Sequence, residues 1–297
     1  MLPKYNIIEQ IKEKPFTNLP EEGQYNSIFE PEIIQYKKKG IIGKGSFGIV
    51  FLAINHRHEL IAVKQKKESK DVASTIISNL LFSEELESLS ELNHPNIVRL
   101  LGVEFSFRGP ISIVMEYLEG KNLENIIKTY ICLPEMQIRN YTKQLVDAIS
   151  YLHSKNIIHR DIKSTNVMIS SENVIKLIDF GMAKKGYPSA YTTQSDSSSA
   201  IVGTLAYMAP EILSSESYNA TVDVYSLGVL VFEMGYGEPF LGSKKSPIPL
   251  FKSTNLINLP NLTPMANNFM QNCLIENFKI RPRANTLKNH PFISSNY

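Results

Sequence analysis

The chain has 297 residues and a formal net charge of +2, which gives no reason to expect nucleic acid or an anionic membrane as a partner. A chain of this length can bury about three quarters of its unfolded surface, and its two cysteines, Cys132 and Cys273, are too few for a disulfide scaffold or a zinc cluster. Because residues 1–5 do not resemble a signal peptide and no apolar run approaches the ~18 residues of a membrane span, we expect an intracellular, cytoplasmic protein.

Residues 1–35 have a mixed polar composition with three prolines before Pro31, and we interpret them as an N-terminal extension that packs on the domain or stays loose. A glycine-rich turn, spaced G-x-G-x-x-G over residues 43–48, follows the first predicted strand. A dinucleotide-binding turn requires a helix directly after the glycines, whereas a β-branched and aromatic run follows here, then a polar turn and a second apolar run ending at Lys64. The pattern therefore predicts a β-hairpin in which glycines allow backbone N–H groups to approach phosphate oxygens.

A helix is predicted over about residues 72–92, followed by strands at 97–103 and 111–115. Apolar residues recur at helical spacing in the next segment and predict an amphipathic helix with Ile138, Tyr141, Leu145, Ile149 and Leu152 on its buried face.

Two acids and an amide are grouped in the stretch 159–181. Residues 159–166 read His-Arg-Asp-Ile-Lys-Ser-Thr-Asn, and the apolar run 174–178 leads into Asp-Phe-Gly at 179–181. Asp161 can accept the proton of an attacking hydroxyl, while Asn166 and Asp179 offer the hard oxygen ligands that Mg²⁺ prefers beside phosphates. Either motif alone is compatible with an unrelated polar turn, but the two together predict a phosphoryl-transfer site.

These motifs resemble the catalytic core of eukaryotic protein kinases, and the resemblance covers about residues 36–293. It implies an α+β, bilobal fold: a small antiparallel β-sheet N-lobe with one helix at about 36–117, and a larger, mainly helical C-lobe at about 118–293. ATP and Mg²⁺ are the implied cofactors. Lys163, two residues after Asp161, resembles the Ser/Thr-specific pattern, as does Gly203-Thr204, and the tail resembles the MAP kinase kinase kinase (STE) branch.

The resemblance also implies roles for single residues. Lys64 would contact the α/β-phosphates, and Glu85 would be its partner, with Glu84 and Glu87 facing water. Asp161 and Lys163 complete the implied catalytic set. Met115 would bound the adenine pocket, and the backbone of Glu116 and Leu118, at the implied hinge between the lobes, would bind the base edge. The implied ATP-binding residues are Ile42, Gly43, Gly45, Ser46, Gly48, Val50, Ala62, Lys64, Met115, Glu116, Leu118 and Met168.

The Ser/Thr-rich stretch between Asp179 and the Ala-Pro-Glu motif at 209–211 resembles a kinase activation segment. Arg160 would pair a phosphate there, with Ser198 or Ser199 favoured, because the commonest family position is Ala200 and cannot be phosphorylated. A serine-rich loop held by unmodified contacts is the alternative. The implied acceptor and anchor positions are Thr192, Thr193, Ser195, Ser197, Ser198, Ser199 and Thr204.

A buried helix is predicted at 221–234, with Asp223 as its exception. By resemblance this carboxylate bonds the backbone of the catalytic loop, residues 159–166, and Arg281 pairs with Glu211. His153 and His159 are expected to be structural. Two departures from the family are Tyr225, where a tryptophan is usual, and a short segment at 235–260.

The resulting expectation is a protein Ser/Thr kinase in a signalling cascade, with protein substrates and an upstream kinase as partners and neither nucleic acid nor membrane. The main alternative is a pseudokinase-like scaffold, which loss of Lys64, Asp161 or Asp179 would indicate; all three are present. A small-molecule phosphotransferase is disfavoured by the activation-segment motif. The sequence does not specify the substrate, the pathway or the oligomeric state.

Overall fold

The computed structural model describes residues 35–45, 48–66, 84–104, 112–186, 205–214, 216–239 and 258–295. The chain divides into two compact units: Met1–Ser90 with Leu100–Tyr117, and Glu91–Arg99 with Leu118–Tyr297. The first is built on a β-sheet and the second is mainly helical, which confirms the predicted α+β class.

Among its described residues, the first unit has five antiparallel strands in the order β1-β2-β3-β5-β4. They are β1 (Tyr36–Lys44), β2 (Gly48–Asn55), β3 (Leu60–Lys66), β4 (Leu100–Glu104) and β5 (Ser112–Glu116). Alternation along the strands places Ala53, Ile61, Val63 and Val114 in one buried cluster. Residues 84–90 are helical, within the longer helix that the sequence predicted.

Helices dominate the second unit. Its longer helices are α1 (Leu123–Tyr130), α2 (Glu135–Ser154), α4 (Thr221–Tyr236) and α5 (Pro264–Cys273), and its short ones are α3 (Pro210–Leu213), α6 (Ala284–Leu287) and α7 (Pro291–Ser294). Helix α4 is apolar and buried almost all round, as predicted, and packs against α2 and α5. An Asn122 side chain caps α1, and a Thr263 side chain caps α5.

Short strands position the chemistry of this unit. β6 (Lys121–Asn122), β8 (Val167–Ile169) and β9 (Ile175–Leu177) form one sheet, and β7 (Ile157–Ile158) pairs with β10 (Lys184–Lys185). A 3₁₀ turn at Ser164–Asn166 precedes β8.

Residues Glu91–Arg99 fell within the predicted N-lobe range but belong to the second unit. The reason is their bonding: the Val98 N–H donates to the Leu177 carbonyl at 2.9 Å, and the Asn96 amide donates to the Ile175 carbonyl at 2.9 Å. Accordingly the predicted strand at 97–103 starts only at Leu100.

Within the part of the chain that the structure describes, no helix combines the length and the apolar character needed to span a bilayer.

Candidate active site

Lys64 and Glu85 form a buried ion pair in the first unit. Lys64 lies on β3, which is flanked in the sheet by β2 and β5. Its Nζ is 2.6 Å and 2.8 Å from the two carboxylate oxygens of Glu85. The residues are only 5% and 1% exposed. The pair expected by resemblance is therefore present, whereas Glu84 and Glu87, expected to face water, are half-buried.

The glycine turn leaves its backbone accessible. The Gly45 N–H donates to the Gly48 carbonyl at 2.9 Å, and a Cβ added at Gly45 would meet no atom within 4 Å. The exposed, unobstructed position of Gly45 leaves room for phosphate oxygens, while its own N–H is bonded within the turn. The next residue of the turn, Ser46, lies outside the described residues.

The other predicted nucleotide residues of the first unit follow the sheet register. Ala62 on β3 lies opposite Met115 on β5, and both are buried. Gly43 pairs with Val50 across the hairpin, while Ile42 is exposed. Glu116, Leu118 and Met168 are half-buried; the last two belong to the second unit.

Asp161 is a buried carboxylate in the second unit, only 7% exposed. Lys163 Nζ lies 2.8 Å from Asp161 Oδ1, and Asn166 Nδ2 donates to Asp161 Oδ2 at 2.7 Å. Burial raises the pKa of Asp161, and the Lys163 ammonium offsets part of that rise. A raised pKa makes this carboxylate a better proton acceptor than an exposed aspartate.

The orientation of the Asn166 amide follows from the same contacts. Its nitrogen donates to both the backbone carbonyl and the carboxylate of Asp161, which can only accept, so its oxygen points away from Asp161. The Ile178 N–H donates to the Asn166 carbonyl at 2.9 Å, which brings Asn166 next to the segment that carries Asp179. An amide oxygen and a carboxylate are hard ligands that fit Mg²⁺.

Asp179 has a left-handed backbone conformation, with φ at 63°. Its Oδ1 accepts from the Gly181 N–H at 3.2 Å, and its charge contributes to the raised pKa of Asp161. Positive φ at a non-glycine residue is uncommon and concentrates at functional sites. No group of three or more His, Cys, Asp or Glu that could hold a metal occurs among the described residues, and Mg²⁺ commonly uses only one or two carboxylates beside phosphate oxygens.

Asp223 supports the catalytic loop from α4. Its two oxygens accept from the backbone N–H of His159 at 2.9 Å and of Arg160 at 2.8 Å, as the resemblance implied, and His153 Nε2 lies 2.9 Å away. Burial opposes ionisation of Asp223, but the hydrogen bonds and the nearby histidines outweigh it and lower its pKa. His153 thus contacts Asp223, and His159 is fully buried; a structural role for both stays a prediction.

Arg281 and Glu211 form a two-pronged pair. Nη1 is 2.6 Å from Oε1 and Nη2 is 3.0 Å from Oε2, and both residues are 3% exposed. The guanidinium lies 5.0 Å from the ring centre of Tyr225, so the tyrosine at the usual tryptophan position packs against this ion pair.

Arg160 also has a positive φ of 62°. Its Nε donates to the Met182 carbonyl at 2.6 Å, and its Nη1 donates to the Tyr218 hydroxyl at 3.2 Å. The phosphate acceptors predicted to pair with it lie in 187–204, outside the described residues.

Sequence reasoning missed one buried group, Glu233. It lies on α4 and contacts Ser164 of the catalytic loop and Tyr207 of the segment before α3. The signal was available, because Glu233 is a second acid in a helix whose other residues are almost all apolar. The sequence-based prediction for that helix names Asp223 as its exception.

Comparison with known proteins agrees with this geometry. Residues 36–293 match the protein kinase domain. The chain is 34% identical to mitogen-activated protein kinase kinase kinase 3 of Arabidopsis thaliana over 264 residues, which cover 87% of this chain and 42% of that protein. It is 34% identical to human mitogen-activated protein kinase kinase kinase 19 over 283 residues, covering 92% of this chain and 21% of that protein.

A yeast relative, the serine/threonine-protein kinase BCK1/SLK1/SSP31 of Saccharomyces cerevisiae, is 33% identical over 291 residues, covering 91% of this chain and 19% of that protein. The chain thus spans less than half the length of these relatives. Their names confirm the resemblance to the Ser/Thr-specific MAP kinase kinase kinase branch. The chain belongs to the protein kinase family.

Proposed function

We propose that this chain is a protein Ser/Thr kinase that transfers the γ-phosphoryl group of ATP to Ser or Thr hydroxyls of a protein substrate. The observation that carries the proposal is Asp161, a buried carboxylate whose oxygens face Lys163 and Asn166. Residues 36–293 would form the catalytic domain, with residues 1–35 as an extension.

In this proposal the residues of the chain bind, orient and neutralise charge. Asp161 accepts the proton of the substrate hydroxyl, and Lys163, 2.8 Å from it, balances the charge beside the transferring group. Lys64, fixed by Glu85, contacts the α/β-phosphates. Asn166 Oδ1 and the Asp179 carboxylate would hold Mg²⁺, which when bound would supply positive charge beside the phosphates.

ATP binding is proposed to use the glycine turn and the apolar residues around Met115. The backbone near Gly45 is open, which supports phosphate contact there. Ala62 and Met115 offer an apolar surface for the base, and Glu116 and Leu118 offer backbone groups; the further proposed contacts are Ile42, Gly43, Ser46, Gly48, Val50 and Met168.

The relatives' printed names place those proteins in MAP kinase cascades. We therefore propose that the substrate of this chain is another protein kinase and that an upstream kinase acts on it. Lys64, Asp161 and Asp179 are all retained, so nothing favours the scaffold alternative.

The test is incubation with Mg²⁺, labelled ATP and a generic protein acceptor such as dephosphorylated casein. Asp161→Asn is expected to lower turnover about 10²–10⁴-fold while nucleotide affinity stays near that of the wild type. The matched control is Asp147→Asn, which makes the same change in a half-exposed ion pair with Lys288. Transfer by Asp161→Asn within a few-fold of wild type would remove Asp161 from its role. A folded, nucleotide-binding wild type that transfers no phosphate would support the scaffold.

A further inference from the structure

Glu233 is a buried carboxylate that the proposed phosphoryl transfer does not use. It is 3% exposed; its Oε1 accepts from Ser164 Oγ at 2.8 Å, and its Oε2 accepts from the Tyr207 hydroxyl at 2.6 Å. Those two hydroxyl oxygens are 3.2 Å apart. Ser164 and Tyr207 are themselves 2% and 7% exposed, so all three polar groups depend on one another for hydrogen bonds.

The three groups come from separate segments. Ser164 lies three residues after Asp161 and begins the 3₁₀ turn that ends at Asn166. Tyr207 belongs to the segment that leads into α3, where its backbone carbonyl also accepts from Ser226 Oγ at 2.8 Å. A single carboxylate on α4 therefore connects the catalytic loop with the segment preceding Glu211.

We propose that Glu233 is a positioning residue: its ionised carboxylate holds Ser164, and thereby the loop with Asp161 and Asn166, in the arrangement used for phosphoryl transfer, so that protonation of Glu233 lowers turnover. This inference rests on the proposed kinase function and adds a pH-dependent regulation of the same site.

The chemistry of the three oxygens explains why the charge state matters. An ionised carboxylate accepts from both hydroxyls at once, and hydrogen bonds to a charged acceptor are roughly twice as strong as neutral ones. A protonated carboxyl group must itself donate, so one of the hydroxyls has to turn and accept. Protonation therefore weakens or reverses the contact with Ser164 or with Tyr207.

Burial and the neighbouring groups set the pH at which Glu233 gains its proton. Burial raises the pKa of Glu233 to about 7, although the hydrogen bonds from Tyr207 and Ser164 act in the opposite direction. From α1, the charge of Glu124 raises this pKa and that of Lys128 lowers it. Burial and the Glu233 charge also raise the pKa of Tyr207, so its hydroxyl keeps its proton and remains a donor.

The experiment measures kcat and KM for the casein acceptor from about pH 6 to about pH 8.5 at saturating Mg²⁺–ATP. We expect the wild-type kcat to rise about fivefold through a midpoint near pH 7, the value of the Glu233 pKa. Glu233→Gln is expected to have a low kcat that lacks this rise. KM should change less than kcat, because the loop, not the acceptor, is displaced.

Ser164 supplies the decisive pair of variants. Ser164→Ala removes the hydroxyl and is expected to abolish most of the rise, whereas Ser164→Thr keeps a hydroxyl and is expected to restore it. The matched control is Ser226→Ala, another buried serine, which bonds the carbonyls of Tyr207 and Val222 but not Glu233. It should retain the pH dependence. Asp161 is present in the wild type and in every variant, so a rise of kcat that persists in Glu233→Gln and Ser164→Ala would belong to Asp161 and not to Glu233.

Thermal unfolding gives a readout that does not require activity. A carboxyl group whose folded pKa is raised stabilises the fold fully below its unfolded value, 4.5, and that contribution is lost as pH rises through about 7. The unfolding midpoint of the wild type relative to Glu233→Gln should therefore fall as pH rises. Ser164→Ala should move this transition to higher pH, because the anion loses a donor.

The outcomes separate the two proposals. An active enzyme in which the kcat profiles of wild type, Ser164→Ala and Glu233→Gln have the same shape overturns the role of Glu233 and leaves the kinase proposal intact. A wild type that binds Mg²⁺–ATP but transfers no phosphate at any pH overturns both. If Glu233→Gln does not fold, the Ser164→Ala and Ser164→Thr pair decides the question.

Discussion

At the scale of single residues, Lys64 and Glu85 form a buried ion pair that affects stability and, in the proposed function, ATP binding. Both side chains are almost fully buried, so removal of either leaves an uncompensated charge. We expect Glu85→Ala to reduce the free energy of unfolding by about 3–5 kcal/mol, and Lys64→Met to remove phosphate contact as well. Replacement of both by apolar residues, Lys64→Met with Glu85→Leu, should recover most of the stability but none of the activity.

Urea unfolding and phosphate transfer measured side by side test this expectation. Glu84→Ala is the control, since Glu84 is the half-buried neighbour on the same helix. If Glu84→Ala or Glu87→Ala were the damaging change instead, the assignment of Glu85 as the functional partner would be wrong. Recovery of turnover in the double variant would show that Lys64 has no role toward ATP.

The proposed metal ligands lead to a second residue-scale prediction. Asp179→Asn should raise the Mg²⁺ concentration required for half-maximal activity, because a neutral amide is a poorer ligand than a carboxylate. Asn166→Ala should do the same and should also lower kcat, since Asp161 loses its bond from Asn166 Nδ2 at 2.7 Å. Titration of activity against Mg²⁺ at fixed ATP measures both. An unchanged Mg²⁺ requirement in both variants would refute the assignment.

At the scale of elements, the sequence predicted the helices and strands whose positions are set by the local hydrophobic pattern. The helix expected at 221–234 is observed at Thr221–Tyr236, and the strand expected at 111–115 is observed at Ser112–Glu116. The strand expected at 97–103 starts late, because Asn96 and Val98, on either side of Ile97, bond to Leu177, a contact that no local period encodes. Two-residue strands such as β7 and β10 are too short to show a period.

The candidate site shows the same division. Positions inside one motif, such as Asp161 and Asn166, were predicted from spacing, because the 3₁₀ turn brings them together within six residues. Partners separated by 70 positions, such as Glu211 and Arg281, came only from the family resemblance. The contact of Ser164 with Glu233 joins segments 69 positions apart and was not foreseen.

The pair of Glu211 and Arg281 gives the element-scale prediction. Arg281 also donates to the backbone carbonyls of Ile275 and Thr221, so it connects α3, α4 and the segment after α5. Lysine keeps the charge but cannot make two parallel bonds or reach all these acceptors. We expect Arg281→Lys to lower the free energy of unfolding by about 2–4 kcal/mol, whereas Arg283→Lys, at an exposed position two residues later, should change it by less than about 0.5 kcal/mol. Equal urea midpoints for the two variants would contradict this.

At the scale of the whole molecule, the proposed kinase activity would be switched through Arg160 and the predicted activation segment. Arg160 is held from several directions: its backbone N–H by Asp223, its Nε by the Met182 carbonyl and its Nη1 by Tyr218. Met182 lies three residues after Asp179, so the guanidinium already bonds the start of the predicted activation segment. A phosphate that bridged to this arginine would place its charge beside the catalytic loop and would order the segment that carries it.

We therefore expect phosphatase treatment of the active enzyme to lower kcat at least tenfold, since a phosphate adds roughly −1.5 to −2 charges and three acceptor oxygens for Arg160. A variant with all six candidates changed to alanine (Thr192, Thr193, Ser195, Ser197, Ser198 and Ser199) should have a low kcat that phosphatase does not change. Arg160→Met should also be insensitive to phosphatase, because the phosphate would have lost its partner. Its basal activity is expected to fall with the loss of the bonds to Met182 and Tyr218.

Restoring one acceptor at a time in the six-alanine variant, beginning with Ser198 and Ser199, identifies the site. Full activity in both the phosphatase-treated enzyme and the six-alanine variant would mean that unmodified contacts hold the segment.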